Sequence, residues 1–214
     1  MDEAGVAGWV TSDELSEAGR FVREGRRREY LTWRAVVRRE LGADVRIAYD
    51  AAGAPVVDRD GVYVGVSHCR GRVAVCLSDV PCAVDIEPET RDFSRAAPRY
   101  MSPSELALSG DPLLPAAVWC AKEALYKYAG RRELDLLRDL RLLEADLGEG
   151  FDPLPGVSSG VGVTAASAGT GVPGEEPVGT ADGAAGKVTG SVCGGAPVTL
   201  SVRRAAGYVL VFRY

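Results

Sequence analysis

The sequence predicts an α+β protein built of two halves, residues 13–80 and 81–214, behind a flexible leader of residues 1–12. Three observations carry this. Strand-like segments cluster before and after a central helical region. Each side carries a hairpin signal, Val62–His68 with Val73–Leu77, and Val198–Val202 with Tyr208–Phe212. Each half also has a helical stretch, Glu14–Leu41 in the first and Trp119–Tyr128 in the second.

In chain order, Ser12 is a candidate N-cap, with Leu15 as an early apolar contact. Phe21, Tyr30, Leu31, Trp33, Val36, Val37 and Leu41 give the first helical stretch its apolar faces, broken near Gly25 and stopped at Gly42. Val45–Tyr49 alternates as a strand, and residues 50–54 turn the chain. Asp79-Val80-Pro81 turns it again into the strand Ala83–Glu87, which Pro88 closes. Two short helical segments follow, 93–101 and 102–108. Ser102 caps the second, Pro103 occupies its first position and Glu105 matches a capping box. Pro112 and Pro115 mark the loop before the Trp119 helix, and Gly130 is its stop. Leu140–Leu143 is a further strand. Residues 156–197 hold 12 of the 26 glycines and almost no large side chain. Such a segment buries little apolar surface against its ordering entropy, so it is read as a flexible insertion with room for weak edge strands at its valines.

Composition excludes several classes of function. A formal net charge of −5 argues against a general nucleic-acid binder. No apolar run approaches the length of a membrane span, and the acidic start, Met1–Gly5, lacks a signal-peptide core. The five cysteines are odd in number and show no C-x-x-C spacing, which fits free thiols in a reducing cytoplasm better than disulfides or zinc. The single histidine, His68, excludes sites that need two.

Chemistry concentrates in two short pieces. In Ala83-Val84-Asp85-Ile86-Glu87 the acids sit at i and i+2 and share one face of a strand. In Trp119-Cys120-Ala121-Lys122-Glu123-Ala124-Leu125-Tyr126-Lys127 the residues Trp119, Glu123 and Lys127 share one face of a helix. Alone, the first reads as a solvated sheet surface and the second as an ordinary helix charge pair. Packed together, they bring three carboxylates beside one lysine, the hard oxygen donors that suit Mg²⁺ on a phosphorylated substrate.

With these two motifs, and with Val66-Ser67-His68 upstream, the chain resembles the Sfp-type 4′-phosphopantetheinyl transferases over about residues 15–145. The family is marked by a Gly-[Ile/Val]-Asp-[Ile/Val]-Glu strand and a Trp-[Ser/Thr/Cys]-x-Lys-Glu-[Ala/Ser]-x-x-Lys helix. The helix matches at every defined position, and the strand has Ala83 in place of glycine. The resemblance implies two similar α+β halves related by a pseudo-twofold axis, with the active site between them. It implies transfer of the phosphopantetheine arm of coenzyme A to a serine of an apo acyl or peptidyl carrier protein. Asp85, Glu87 and Glu123 would hold Mg²⁺, with Mn²⁺ as a substitute. Glu123 would be the base, with Glu105 second, and Lys127 would stabilise phosphate charge. Ser67 and His68 would bind phosphate.

Basic residues of the first half would hold the 3′-phosphate of coenzyme A, and Arg27 and Arg28 are the candidates among its arginines. Ala54 stands where many relatives have a lysine, and Glu14 and Glu17 stand where some have lysines, so those phosphate contacts do not carry over. A monomer is expected. Two alternatives stay open, a Mg²⁺-dependent phosphohydrolase using the same acids and a non-catalytic coenzyme A or carrier-binding module.

Overall fold

The computed structural model describes residues 3–148, 162–167, 186–205 and 207–213. The chain opens with α1 (Glu3–Ala7), α2 (Ser12–Gly19) and α3 (Glu24–Leu41). A two-stranded ribbon, β1 (Ile47–Tyr49) and β2 (Pro55–Val57), precedes the hairpin of β3 (Tyr63–Cys69) and β4 (Arg72–Ser78). Then come β5 (Ala83–Pro88), a 3₁₀ turn at Ala97–Arg99, α4 (Pro103–Leu106) and α5 (Leu114–Ala129). The remaining strands are β6 (Leu140–Asp146), β7 (Gly162–Ser167), β8 (Gly186–Val192), β9 (Val198–Ala205) and β10 (Tyr208–Arg213). The α+β content matches the expectation.

Period-two alternation sorts these strands into layers. On β4, Val73 and Val75 pack with Trp33, Val36 and Val37 of α3. Their neighbours Ala74 and Cys76 face the other way, into a core shared with Val84 and Ile86 of β5 and Leu210 and Phe212 of β10. The opposite face of β10, Val209 and Val211, joins Ala117, Ala121 and Ala124 of α5. The order is therefore α3, a sheet β3-β4-β7, a sheet β5-β10-β9-β8-β6, and α5, with antiparallel pairing throughout both sheets.

Three expectations are corrected. The leader is not structureless where it is described: Val6 of α1 is buried, and the Trp9 carbonyl accepts a hydrogen bond from Arg38. The N-cap of α2 is Thr11 rather than Ser12, and its hydroxyl and the Glu14 carboxylate form a capping box. The glycine-rich segment contains two strands, β7, which pairs with β4, and β8, which lies inside the larger sheet. Glycine is needed in β8 for packing. A Cβ on Gly190 would meet Leu125 Cδ1 at 2.7 Å and the Arg141 carbonyl oxygen at 2.9 Å, so the missing side chain lets α5 lie on the sheet. Residues 156–161 and 168–185 lie outside the described residues.

Much of the basic charge of α3 is used internally. Glu14 accepts from both terminal nitrogens of Arg38, at 2.6 and 2.8 Å, and pairs with Arg34 at 3.3 Å. These bonds tie α2 onto α3 and account for an acid at a position where a phosphate-binding lysine does not carry over.

One close approach sets the position of β5. A Cβ on Gly65 of β3 would stand 3.1 Å from Ala83 Cα, tighter than ordinary contact, with backbone as the neighbour. Gly65→Val is expected to push β3 off β5 and to lower stability by about 1–3 kcal/mol. A urea denaturation midpoint equal to that of the parent chain would show that the two strands are free to part.

Candidate active site

β5 delivers Asp85 and Glu87 to the side on which α5 packs, and α5 delivers Trp119, Glu123 and Lys127 at helical spacing. Asp85 is buried and anchored twice. The Ser67 hydroxyl donates to its Oδ1 at 2.7 Å, and the Lys127 ammonium donates to the same oxygen at 2.8 Å. Lys127 also donates to the Val84 carbonyl at 2.9 Å, which fixes the end of α5 against β5. Trp119 packs edge-on against Tyr100, with ring centroids 5.1 Å apart, and beside Phe93 at 6.1 Å. Its indole lies near enough to Glu87 to pull that carboxyl's pKa down, and the carboxylate pairs with Arg91.

The acids influence one another. Glu123 is half-buried, and its carboxyl is pushed above the ordinary value of 4.5, first by burial and then by the charge of Asp85; Lys127 and Arg91 oppose the rise. Glu87 is also pushed up, by burial first, and Asp85 and Glu123 add to the rise while Arg91 opposes it. Burial therefore leads the rise at both glutamates, and the three carboxylates and the cations Arg91 and Lys127 are near enough to act on one another electrostatically.

This donor set suits a hard divalent cation in its chemistry. Among the described residues, however, no three histidine, cysteine, aspartate or glutamate side chains stand close enough together to hold an ion as they are. Mg²⁺ commonly takes only one or two carboxylates and completes its shell with water and substrate phosphates, so the set fits without being fully assembled.

On the α3 side of β3, His68 meets a second polar group. Its Nδ1 lies 3.3 Å from Glu29 Oε2, and the Arg26 guanidinium touches the ring and pairs with Glu29 at 3.5 Å. Burial first, and then the charges of Arg26 and Lys127, push the imidazole down from 6.5 to about 4. His68 is therefore neutral at pH 7. The unfolded chain binds this proton more readily, so between about pH 6.5 and pH 4 the group contributes stability that is lost as pH falls. Because His68 is the single histidine, one set of imidazole resonances reports on it. They are expected to keep neutral-ring shifts from pH 8 down to pH 5. A midpoint near pH 6.5 would mean that the ring is freely solvated.

The structure brings together Ser67, Asp85, Glu87, Glu123 and Lys127, and sets His68 beside them. It does not bring the others. Arg27 donates to the Phe21 carbonyl at 2.9 Å, and Arg28 pairs with Glu24 one turn back. The guanidinium that does reach His68 belongs to Arg26, which the sequence reading passed over. Its signal was present: 26, 29 and 33 continue the stripe by which α3 meets the sheet.

Glu105 is also elsewhere. It is 1% exposed, and its Oε1 takes the Lys122 ammonium at 2.7 Å and the Leu142 N–H at 2.8 Å. Its Oε2 takes the Ser102 N–H at 2.7 Å and the Ser102 hydroxyl at 2.9 Å. With both oxygens occupied and no access to solvent, it has no position from which to take a substrate proton.

No curated protein matches the chain. Residues 81–151, the stretch that runs from β5 through α4 and α5 to β6, match the family model of the 4′-phosphopantetheinyl transferase superfamily, so this stretch is similar to that superfamily.

Proposed function

We propose that this protein transfers the 4′-phosphopantetheine arm of coenzyme A to a serine hydroxyl of an apo acyl or peptidyl carrier protein and releases adenosine 3′,5′-bisphosphate. The observation that carries the reading is the meeting of Asp85, Glu87 and Glu123 with Lys127 on β5 and α5, inside the segment that matches the superfamily. Asp85, Glu87 and Glu123 would hold Mg²⁺, or Mn²⁺ in its place, which when bound neutralises the pyrophosphate charge and orients it for in-line attack.

The other roles belong to the chain's own groups. Glu123 accepts the proton of the carrier serine, directly or through water, and its raised pKa makes it a better base than an ordinary glutamate. Lys127 fixes Asp85 and presents its charge to the phosphate that develops as the leaving group. Ser67 orients Asp85 from behind. His68, neutral, and Arg26, cationic, form the phosphate-facing group on the α3 side, and Arg26 takes the part first assigned to Arg27 and Arg28. Glu105 serves the scaffold.

The two helix-on-sheet layers, α3 on its sheet and α5 on the other, are read as the two similar halves, and a single chain as the active unit. The free cysteines are compatible with work in a reducing cytoplasm. No helix among the described residues is long and apolar enough to cross a membrane.

The test is the intact mass of an apo carrier protein after incubation with the chain, coenzyme A and Mg²⁺. A gain of roughly 340 Da that disappears with EDTA is the expected result. No gain on carriers from fatty-acid, polyketide and nonribosomal-peptide pathways would overturn the reading. Release of phosphate from coenzyme A without a carrier would point instead to a phosphohydrolase, and binding of coenzyme A with no reaction to a non-catalytic module.

A further inference from the structure

We infer that Arg91 is the resident counter-ion of the three-carboxylate pocket, holding Glu87 until a divalent cation takes that carboxylate from it. The inference rests on the metal reading above and adds to it a residue and a direction of control. Arg91 lies on the loop directly after β5, four positions beyond Glu87, and the two form an ion pair. Although exposed, its guanidinium has aromatic faces to rest on. It lies over the Phe93 ring, 4.7 Å from the centroid, and over the Trp119 ring at 5.2 Å. These rings pack against each other, so they give the guanidinium a fixed seat.

Glu87 is thus held by a group that cannot ligate a metal, the Arg91 guanidinium, with the Trp119 indole beside it. This accounts for one observation about the pocket. Asp85 stands near enough to Glu87 and Glu123 to push both carboxyls up, yet among the described residues no three ligand side chains are assembled for an ion. Arg91 supplies positive charge to Glu87 and Glu123 alike.

A guanidinium cannot be neutralised by any physiological change of pH, so the hold is released by replacing one cation with another. It is also a modest hold. The Arg91 side chain is 41% exposed, and pairs of this kind change an equilibrium by less than about tenfold. A metal that binds the pocket can therefore displace it.

The experiment is a Mn²⁺ titration of the full chain, read as free Mn²⁺ by electron paramagnetic resonance, with no coenzyme A or carrier present. Arg91→Gln is expected to tighten Mn²⁺ binding about three- to tenfold. Arg91→Lys, which keeps the charge without the fork, should fall between Arg91→Gln and the parent. Arg95→Gln removes the same charge from an exposed position on the same loop, and it should leave the affinity within about twofold. Thermal melts would confirm that each variant is folded.

Binding by Arg91→Gln no tighter than the parent, or an equal gain from Arg95→Gln, would overturn the inference. If Glu123→Gln weakens Mn²⁺ binding in either of those cases, the metal reading survives alone. Absence of Mn²⁺ binding in both the parent and Arg91→Gln would remove the metal reading and this inference together.

Discussion

Replacing Glu123 by glutamine is expected to lower the rate of transfer to the carrier serine by about 10²–10⁴-fold while leaving the fold intact. The substitution is nearly isosteric and the side chain is only half-buried, so packing on α5 changes little. Two functions disappear together. An amide cannot accept the serine proton, and it is a poorer ligand for a hard cation than a carboxylate. Single-turnover transfer, followed as intact carrier mass, measures the first loss, and Mn²⁺ binding measures the second. If Glu123→Gln transferred at the parent rate, the base would have to lie elsewhere, and Glu105 could not supply it with both of its oxygens occupied. If transfer fell while Mn²⁺ binding stayed unchanged, Glu123 would be a base and not a ligand.

The second large effect is on stability, and it comes from a buried pair, one member of which, Glu105, was expected as a second base. Lys122 is fully buried, and its ammonium donates to Glu105, to the Tyr100 carbonyl at 2.6 Å and to the Leu136 carbonyl at 2.8 Å. Burial pushes its pKa down, and the Glu105 carboxylate opposes this. Burial would push Glu105 up, but the Leu142 N–H, the Lys122 ammonium and the Ser102 N–H outweigh it and hold the carboxyl below 4.5.

Glu105→Ala would leave a buried ammonium without its counter-charge and two N–H groups without an acceptor. The expected cost is about 3–5 kcal/mol, or roughly 10 °C in melting temperature for a chain of this size. Removing both partners, as Glu105→Leu with Lys122→Met, should recover only part of that loss: it removes the unpaired buried charge, but the Ser102 and Leu142 N–H groups and the Tyr100 and Leu136 carbonyls keep no side-chain partner. A single variant melting within about 2 °C of the parent would mean that water already reaches the site. The depressed carboxyl also carries a pH signature: its contribution is present above 4.5 and is lost as pH falls through the folded value.

The parts of the site that could be read from the sequence are those in which spacing alone fixes geometry. Asp85 and Glu87 two apart, and Trp119, Glu123 and Lys127 four apart, face as their periods require. Ser102 and Glu105 formed the expected capping box for the same local reason. Contacts between distant segments were not legible. The fourth position of the Trp119 motif, Lys122, points off the shared face, and nothing local announces that Glu105 will meet it. Gly190 read as flexibility because a sequence does not show the Leu125 side chain that occupies the space above it. Arg26 was indistinguishable from its neighbours in an arginine-rich helix until the partners of Arg27, Arg28, Arg34 and Arg38 were known.

The edge position of β5 bears on how the site comes into being. Among the described residues its ladder partner is β10, with Asp85 opposite Val211 and Glu87 opposite Val209, and β10 follows β6, β8 and β9 in the sequence. The acidic motif precedes β10 in the sequence, so its ladder can close only after everything between the two strands has been made. The two ends of a long loop must close before that pairing is rewarded, which is the slow kind of step in folding. During synthesis the carboxylates would therefore be present before the β9–β10 hairpin docks and completes their ladder.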